Sequence, residues 1–329
     1  MSKQTGHKSR ILCLYELLLT QTDEQHPLSV VEMIEFLKEQ GFETPQRKTI
    51  YNDLEHLRNF GLDLVSVRTN TVRYYVASRT FELPEVTLLI DSVQGSKFIT
   101  EQKTRTLLKK LESLTSVHEA RRLQGQIVLR GRVKSMNESV YYNVDALSSA
   151  ISENCQVTFQ YFHYDIHKQE VLRNEGHLYV VSPYALIIDN ENYYLLAYDA
   201  DSRAMKHYRV DRMKHIQKTD DARQGAHLFE KIDLSSYTKQ VFGMFHGDLQ
   251  QVRMRFHNHL INGVIDQFGD DVSIVPDGDS HFTVSAQVVV SPQFFAWLFR
   301  FGAEASLIGP PSVREAYRKQ LKETLAEQG

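Results

Sequence analysis

Two groups of side chains carry chemistry in this sequence. The first is aromatic and cationic: Tyr161, His163, Tyr184, Tyr193, Tyr194, His207, Tyr208, Arg209 and Arg212 fall in one central stretch. Bases stack on such rings at about 1–3 kcal/mol each while guanidinium groups hold phosphates, so the set suits single-stranded nucleic acid. The same residues have a structural reading, with the tyrosines packed across strands and Arg209 and Arg212 paired with Asp211 or Asp199. The second group is Arg47, Lys48, Thr49, Tyr51 and Asn52, followed by Arg68 and Arg73. These are the donor types that reach base edges and phosphates of a DNA duplex.

Neither group is a catalytic motif. Fourteen histidines invite a search for a metal or acid–base site, yet the chain contains no CxxC, HExxH, glycine-rich phosphate loop or GxSxG elbow. His257 and His259 stand two apart without further ligands beside them. His163 and His207 are the pair that acid–base cleavage of RNA would use. No catalytic residue, metal ligand or cofactor is assigned, and the chain reads as a binding protein rather than an enzyme.

The elements that must position these residues follow from periodicity. Apolar residues Ile11, Leu14, Leu17 and Leu18 recur at helical spacing, so Ser9 to Thr20 reads as a first helix. Ser29 with Glu32 three residues on is a capping-box pattern opening a second helix, whose buried face is Val31, Ile34, Phe36 and Leu37 and which Gly41 stops. Thr44 and Pro45 lead into a third helix with Ile50, Leu54 and Leu57 inward and Arg47, Lys48, Tyr51, Asn52 and His56 outward, ended by Gly61. Leu64 to Val76 reads as a hairpin around Thr69-Asn70-Thr71. Three helices and a hairpin in this order make a winged helix-turn-helix, with the third helix in the major groove.

Leu83 to Lys97 and Lys103 to Leu114 read as two amphipathic helices that connect this module to the centre. There, a helix from Asp145 to Glu153 precedes strands at Val157 to Tyr164, Leu178 to Ile188, Asn192 to Tyr198 and Met205 to Val210, which suggests a small barrel. Strand alternation puts Arg209 and Arg212 on opposite faces unless the strand ends or bends between them. After the acidic Asp220-Asp221 and a linker to about Leu249, the order strand, helix, strand, strand, helix, strand, helix reads as a ferredoxin-like α+β domain. Its helix from Pro292 to Phe301 is crowded with aromatic residues, which form a core or a dimer contact.

The 329 residues carry a net charge of −3, which taken alone argues against a nucleic-acid binder. Divided along the chain, residues 1–80 hold ten basic and ten acidic side chains, residues 81–142 ten against seven, and residues 143–329 eighteen against twenty-four. Within the first block Arg47, Lys48, Arg58, Arg68, Arg73 and Arg79 meet only Asp53, Glu55 and Asp63, so a local basic face is expected. A second basic stretch runs from Lys103 through Arg121 and Arg122 to Arg130, Arg132 and Lys134. With 42% hydrophobic residues and no apolar run near the ~18 residues that span a bilayer, the composition fits a soluble globular protein without membrane segments. Ser2 to Arg10 lacks the apolar core of a signal peptide, and Cys13 and Cys155 are far apart, so a cytoplasmic location is expected.

The segment KTIYNDLEHLRNFGLDL, Lys48 to Leu64, resembles the recognition-helix signature of DeoR-like bacterial regulators, with Asn52 in place of the usual arginine. SPYALIIDNENYYLLAYD, Ser182 to Asp199, with HYRVDRMKHI, His207 to Ile216, is similar to the WYL domain. The naming triplet stands as Tyr193-Tyr194-Leu195, and the arginine motif as Tyr208-Arg209-Val210-Asp211-Arg212-Met213. Residues 250–328 are similar to the extension that often follows WYL domains.

The resemblance implies a WYL-domain transcriptional regulator with a Sm-like or SH3-like barrel and an oligonucleotide or nucleotide-like effector. The expected organisation is an α+β multidomain chain. It has a winged helix at 1–79, a helical connector at 80–140, a WYL effector domain at 141–223 and a ferredoxin-like C-terminal extension at 224–329. The expected DNA contacts are Arg47, Lys48, Thr49, Tyr51, Asn52, Arg68 and Arg73. Effector contacts are expected at Tyr161, His163, Tyr184, Tyr194, His207, Tyr208, Arg209 and Arg212. A homodimer on a double-stranded operator is the expected assembly; an accessory protein that binds single strands without operator recognition is the alternative.

Overall fold

A computed structural model describes residues 7–123 and 139–327. The expected basic positions Arg130, Arg132 and Lys134 lie outside the described residues. The chain divides into two compact units, Met1–Glu138 and Ser139–Gly329.

The first unit opens with α1 (His7–Gln21), a two-residue strand β1 (Leu28–Ser29), α2 (Val30–Glu39) and α3 (Arg47–Phe60). Ser29 caps α2 as its sequence pattern requires: its hydroxyl accepts from the Glu32 amide while the Glu32 carboxylate accepts from the Ser29 amide. Gly61 ends α3 with φ 110°, a left-handed conformation that glycine adopts without a Cβ clash. The wing is β2 (Leu64–Arg68) and β3 (Val72–Val76), paired antiparallel from Leu64 opposite Val76 to Arg68 opposite Val72. β1 adds a third strand to β3, which periodicity does not reveal because two residues carry no alternation. Leu14, Leu17 and Leu18 of α1, Met33 and Leu37 of α2, Ile50, Leu54 and Leu57 of α3, and Tyr74 and Val76 of the wing form one buried core.

Among its described residues the connector holds three helices where two are expected: α4 (Leu83–Gly95), α5 (Glu101–Glu112) and the short α6 (Val117–Leu123). The start of α6 is pinned to the loop after α1. The Ser116 hydroxyl donates to the buried Asp23 carboxylate, and the His118 ring stacks on His26 with centroids 3.7 Å apart.

The second unit begins with α7 (Ser139–Ser152), longer than the sequence pattern suggests. Its sheet comprises β4 (Cys155–Tyr164), β5 (Glu170–Leu172), β6 (Leu178–Asp189), β7 (Asn192–Asp199), β8 (Ala204–Arg209) and β9 (Met213–Ala222). The order is β5-β4-β6-β7-β8, with β9 also on β4, and the pairings are antiparallel. Asn190 and Glu191 turn the β6–β7 hairpin with positive φ, as the expected Asp189 to Glu191 turn requires. One expectation is corrected. The sheet is not a closed barrel: among the described residues β8 and β9 are joined by a 3-10 turn, Val210–Arg212, and not by a ladder. Asp220 and Asp221, which precede the expected linker, lie in β9, where both are exposed.

The expected linker is partly helical, with α8 (Ala226–Phe229) and α9 (Leu234–Gln240). Beyond it come β10 (Asp248–His257), α10 (Ile261–Phe268), β11 (Ser273–Asp277), β12 (His281–Val290), α11 (Pro292–Phe299), β13 (Ala305–Gly309) and α12 (Pro311–Ala326). The strands form an antiparallel sheet in the order β11-β12-β10-β13. Phe294, Phe295, Trp297 and Leu298 of α11 are buried in its core with Phe256, Phe268 and Phe282. That takes up much of the aromatic crowding read from this helix; Phe299 remains exposed.

Candidate functional site

On α3 the helical period sorts the side chains. Arg47, Lys48, Tyr51, Asn52 and His56 are exposed and Thr49 is half-buried, while Ile50, Leu54 and Leu57 face the core. Gln46 makes no side-chain cap, so Arg47 and Lys48 stand beside the first-turn amides, at the end of the helix that favours anions. Asp53 does not weaken this face. Its fully buried carboxylate accepts two hydrogen bonds from Arg10 of α1, at 2.8 Å from Nε and 3.1 Å from Nη2. The charge that seemed to offset the basic face is neutralised inside the fold.

The basic stretch is also smaller than its count. Arg58 donates to the Leu64 carbonyl and lies over the Tyr74 ring. Arg79 donates to the carbonyls of Leu19 and Thr22 at the end of α1. Arg73 donates to the Pro27 carbonyl at 2.8 Å and pairs with Glu32 at 3.3 Å, so it ties the wing to α2. Arg47, Lys48 and Arg68 remain as exposed cations of this surface.

In the second unit, strand parity and the 3-10 turn separate the expected effector residues. Tyr208 is buried; its ring meets Phe159 at 5.1 Å and Tyr161 at 5.9 Å, and its hydroxyl donates to Asp199. Burial and the Asp199 carboxylate push that phenol far above its ordinary value. Tyr184 is buried, stacked on Phe229 at 4.6 Å with Arg223 over its ring, and donates to the Gln224 carbonyl. Tyr194 belongs to an apolar cluster with Ile187, Leu196, Val241 and Met244, and sits opposite Arg209 in the β7–β8 register. His207 shares a hydrogen bond of 3.0 Å between Nε2 and the Tyr237 hydroxyl, and burial followed by the nearby His246 lowers its pKa to about 4. Tyr208, Tyr184, Tyr194 and His207 are thus largely packing residues, whereas His163 is exposed on β4.

Tyr161 and Arg212 each adjoin the Arg209–Asp211 pair, Tyr161 through the Arg209 amide and Arg212 through the Asp211 carboxylate. Because β8 ends at Arg209 and the chain then makes a 3-10 turn, both arginines reach Asp211, which alternation along a continuous strand forbids. Arg209 holds the carboxylate in two contacts, Nε at 2.9 Å and Nη2 at 2.8 Å, and Nη2 also donates to Asn192. Arg212 Nε lies 3.6 Å from the same carboxylate, and its guanidinium sits over Tyr164 at 4.5 Å and Phe162 at 5.7 Å. Tyr161 accepts from the Arg209 amide, and Arg173 covers its ring at 5.5 Å.

Sequence reasoning missed Arg173, Asn192 and Tyr164. Arg173 starts an irregular turn in which Asn174 and Glu175 have positive φ, a shape no periodicity signals. From below, the buried Asn143 of α7 donates to the carbonyls of Val210 and Met213, at 3.1 and 2.9 Å, and fixes the turn. The surface combines arginines with aromatic rings, a chemistry that suits an anion beside a planar ring. Among the described residues no three His, Cys, Asp or Glu side chains converge as a metal site, and no helix is long and apolar enough to cross a membrane.

Comparison with known proteins places two domains on the chain. The WYL domain model matches residues 142–218 and the WCX domain model residues 248–325. No curated protein matches. Among solved structures, proteasome accessory factor B/C (PafBC) of Arthrobacter aurescens is 18% identical over 99% of this chain and 49% of its own, with a TM-score of 0.29. This chain therefore spans about half the length of that one. A CRISPR Cas-related protein is 15% identical over 74% of this chain and 71% of its own, with a TM-score of 0.38.

Proposed function

We propose that this chain, which carries a WYL domain followed by a WCX domain, is a cytoplasmic, homodimeric DNA-binding regulator of transcription. In this reading two copies dock α3 in successive major grooves of a double-stranded operator. A nucleic-acid or nucleotide-like effector binds at Tyr161, Arg209 and Arg212 and alters that docking. The observation that carries the DNA half is the exposed Arg47, Lys48, Tyr51 and Asn52 on one face of α3, with the only buried acid of that helix neutralised by Arg10. Thr49 and Arg68 complete the contact set, and Arg73 serves it by fixing the wing. The effector half is supported by the arginine pair beside Tyr161, Tyr164 and Arg173; His163 is the further exposed candidate on β4. The role is regulatory, with no catalytic step assigned.

The strand order β11-β12-β10-β13 supports a ferredoxin-like reading of the C-terminal sheet. The test is binding of the full chain to its own promoter duplex by fluorescence anisotropy. Arg47→Ala with Lys48→Ala is expected to weaken binding at least tenfold and to reduce the salt dependence by about two charges. Equal affinity in the double variant contradicts the DNA assignment and leaves the single-strand-binding alternative.

A further inference from the structure

The proposed effector surface already holds an anion of the protein's own. Asp211 lies between the two arginines, in bidentate contact with Arg209 and 3.6 Å from Arg212. Its side chain is 19% exposed, against 36% for Arg209 and 25% for Arg212, so the carboxylate is the most enclosed of the three. A carboxylate on a guanidinium fork offers two oxygens and one negative charge, the same arrangement a phosphodiester presents.

Three contacts set what happens when that carboxylate leaves. Asn192 accepts from Arg209 Nη2, so Arg209 keeps its place without Asp211. Asn143 holds the carbonyls of Val210 and Met213, so the turn backbone stays fixed while the Asp211 side chain swings. Among the described residues the terminal nitrogens of Arg212 make no hydrogen bond, and its guanidinium lies over the Tyr164 and Phe162 rings.

We infer that Asp211 is a built-in competitor for the effector's phosphate: the ligand is held tightly only when it displaces Asp211 from Arg209. Asp211 is then a specificity-determining residue. Ligands without a two-oxygen anion do not displace it, whereas a phosphodiester or terminal phosphate does. This inference rests on the reading of the surface as a phosphate site.

The experiment is anisotropy of a 5′-fluorescein ten-nucleotide single-stranded DNA with the full chain at one fixed salt concentration. Four proteins are compared: wild type, Asp211→Asn, Arg212→Ala, and Asp211→Asn combined with Arg209→Ala. Asparagine keeps the shape and removes the charge, and is expected to tighten binding about tenfold, with the gain lost in the Arg209→Ala background. Asp211→Asn binding equally or more weakly, while Arg212→Ala abolishes binding, overturns the competitor role and leaves the site. Binding unchanged by Arg212→Ala overturns the site, and the inference with it. Asp211→Ser, measured alongside, gives the same readout if the asparagine variant folds poorly.

Discussion

His207 and Asp53 show how single buried groups set the behaviour of each unit. His207 has its Nδ1 buried without a hydrogen-bond partner and its Nε2 on Tyr237, and burial with His246 holds its pKa at about 4. Its unfolded value is about 6.5. A lowered folded pKa means that the unfolded chain takes the proton first, so the stabilisation is complete above about pH 6.5 and fades as pH falls toward 4. The second unit is expected to lose about 2–3 kcal/mol between pH 7 and pH 4.5 through this residue. Urea unfolding of wild type and His207→Gln at the two pH values checks this: the variant should lose less by that amount, and parallel losses would refute it. In the first unit, Asp53→Ala leaves Arg10 without its carboxylate partner. The expected cost is about 3–5 kcal/mol, read as a lower denaturation midpoint. Arg47→Ala, on the exposed side of the same helix, should move it by less than about 0.5 kcal/mol.

At the scale of elements, the 3-10 turn Val210–Arg212 and α7 act as one piece through Asn143. Asn143→Ala leaves two buried carbonyls without that donor and is expected to cost about 1–3 kcal/mol, measurable by chemical denaturation. The variant should also bind the ten-nucleotide strand more weakly, because Arg212 lies in the loosened turn and Arg209 caps its start. Unchanged affinity would separate the turn from the site.

This turn also marks how far the sequence was legible. Long segments were readable: the strand expected at Leu178 to Ile188 is β6, and the Ser29–Glu32 cap opens α2 as its spacing predicts. Short or irregular pieces were not. β1, β5 and α6 are held by distant partners, such as Asp23 for α6 and β4 for β5, and carry little periodicity of their own. The site was half legible. Residue types singled out Tyr161, Arg209 and Arg212 as candidates, but only the end of β8 decides that the two arginines meet at Asp211. Tyr184, Tyr194, His207 and Tyr208 have binding chemistry in their side chains and packing roles in their positions, a distinction made by burial and not by residue type.

For the whole chain, the modest net charge of −3 conceals a division of labour. The first unit presents Arg47, Lys48 and Arg68, whereas residues 143–329 carry an acidic excess that disfavours duplex DNA except where the arginines gather. Regulation then requires that occupancy of the second unit change what the first unit binds, a coupling that in general amounts to about 1–3 kcal/mol. The most direct test is the affinity of the full chain for its promoter duplex, measured with and without a saturating single-stranded ten-nucleotide ligand, in wild type and in Arg212→Ala. The account predicts a change in duplex affinity of about fivefold or more in wild type and none in Arg212→Ala. A duplex affinity that stays the same in wild type while the single strand is bound to saturation would contradict it.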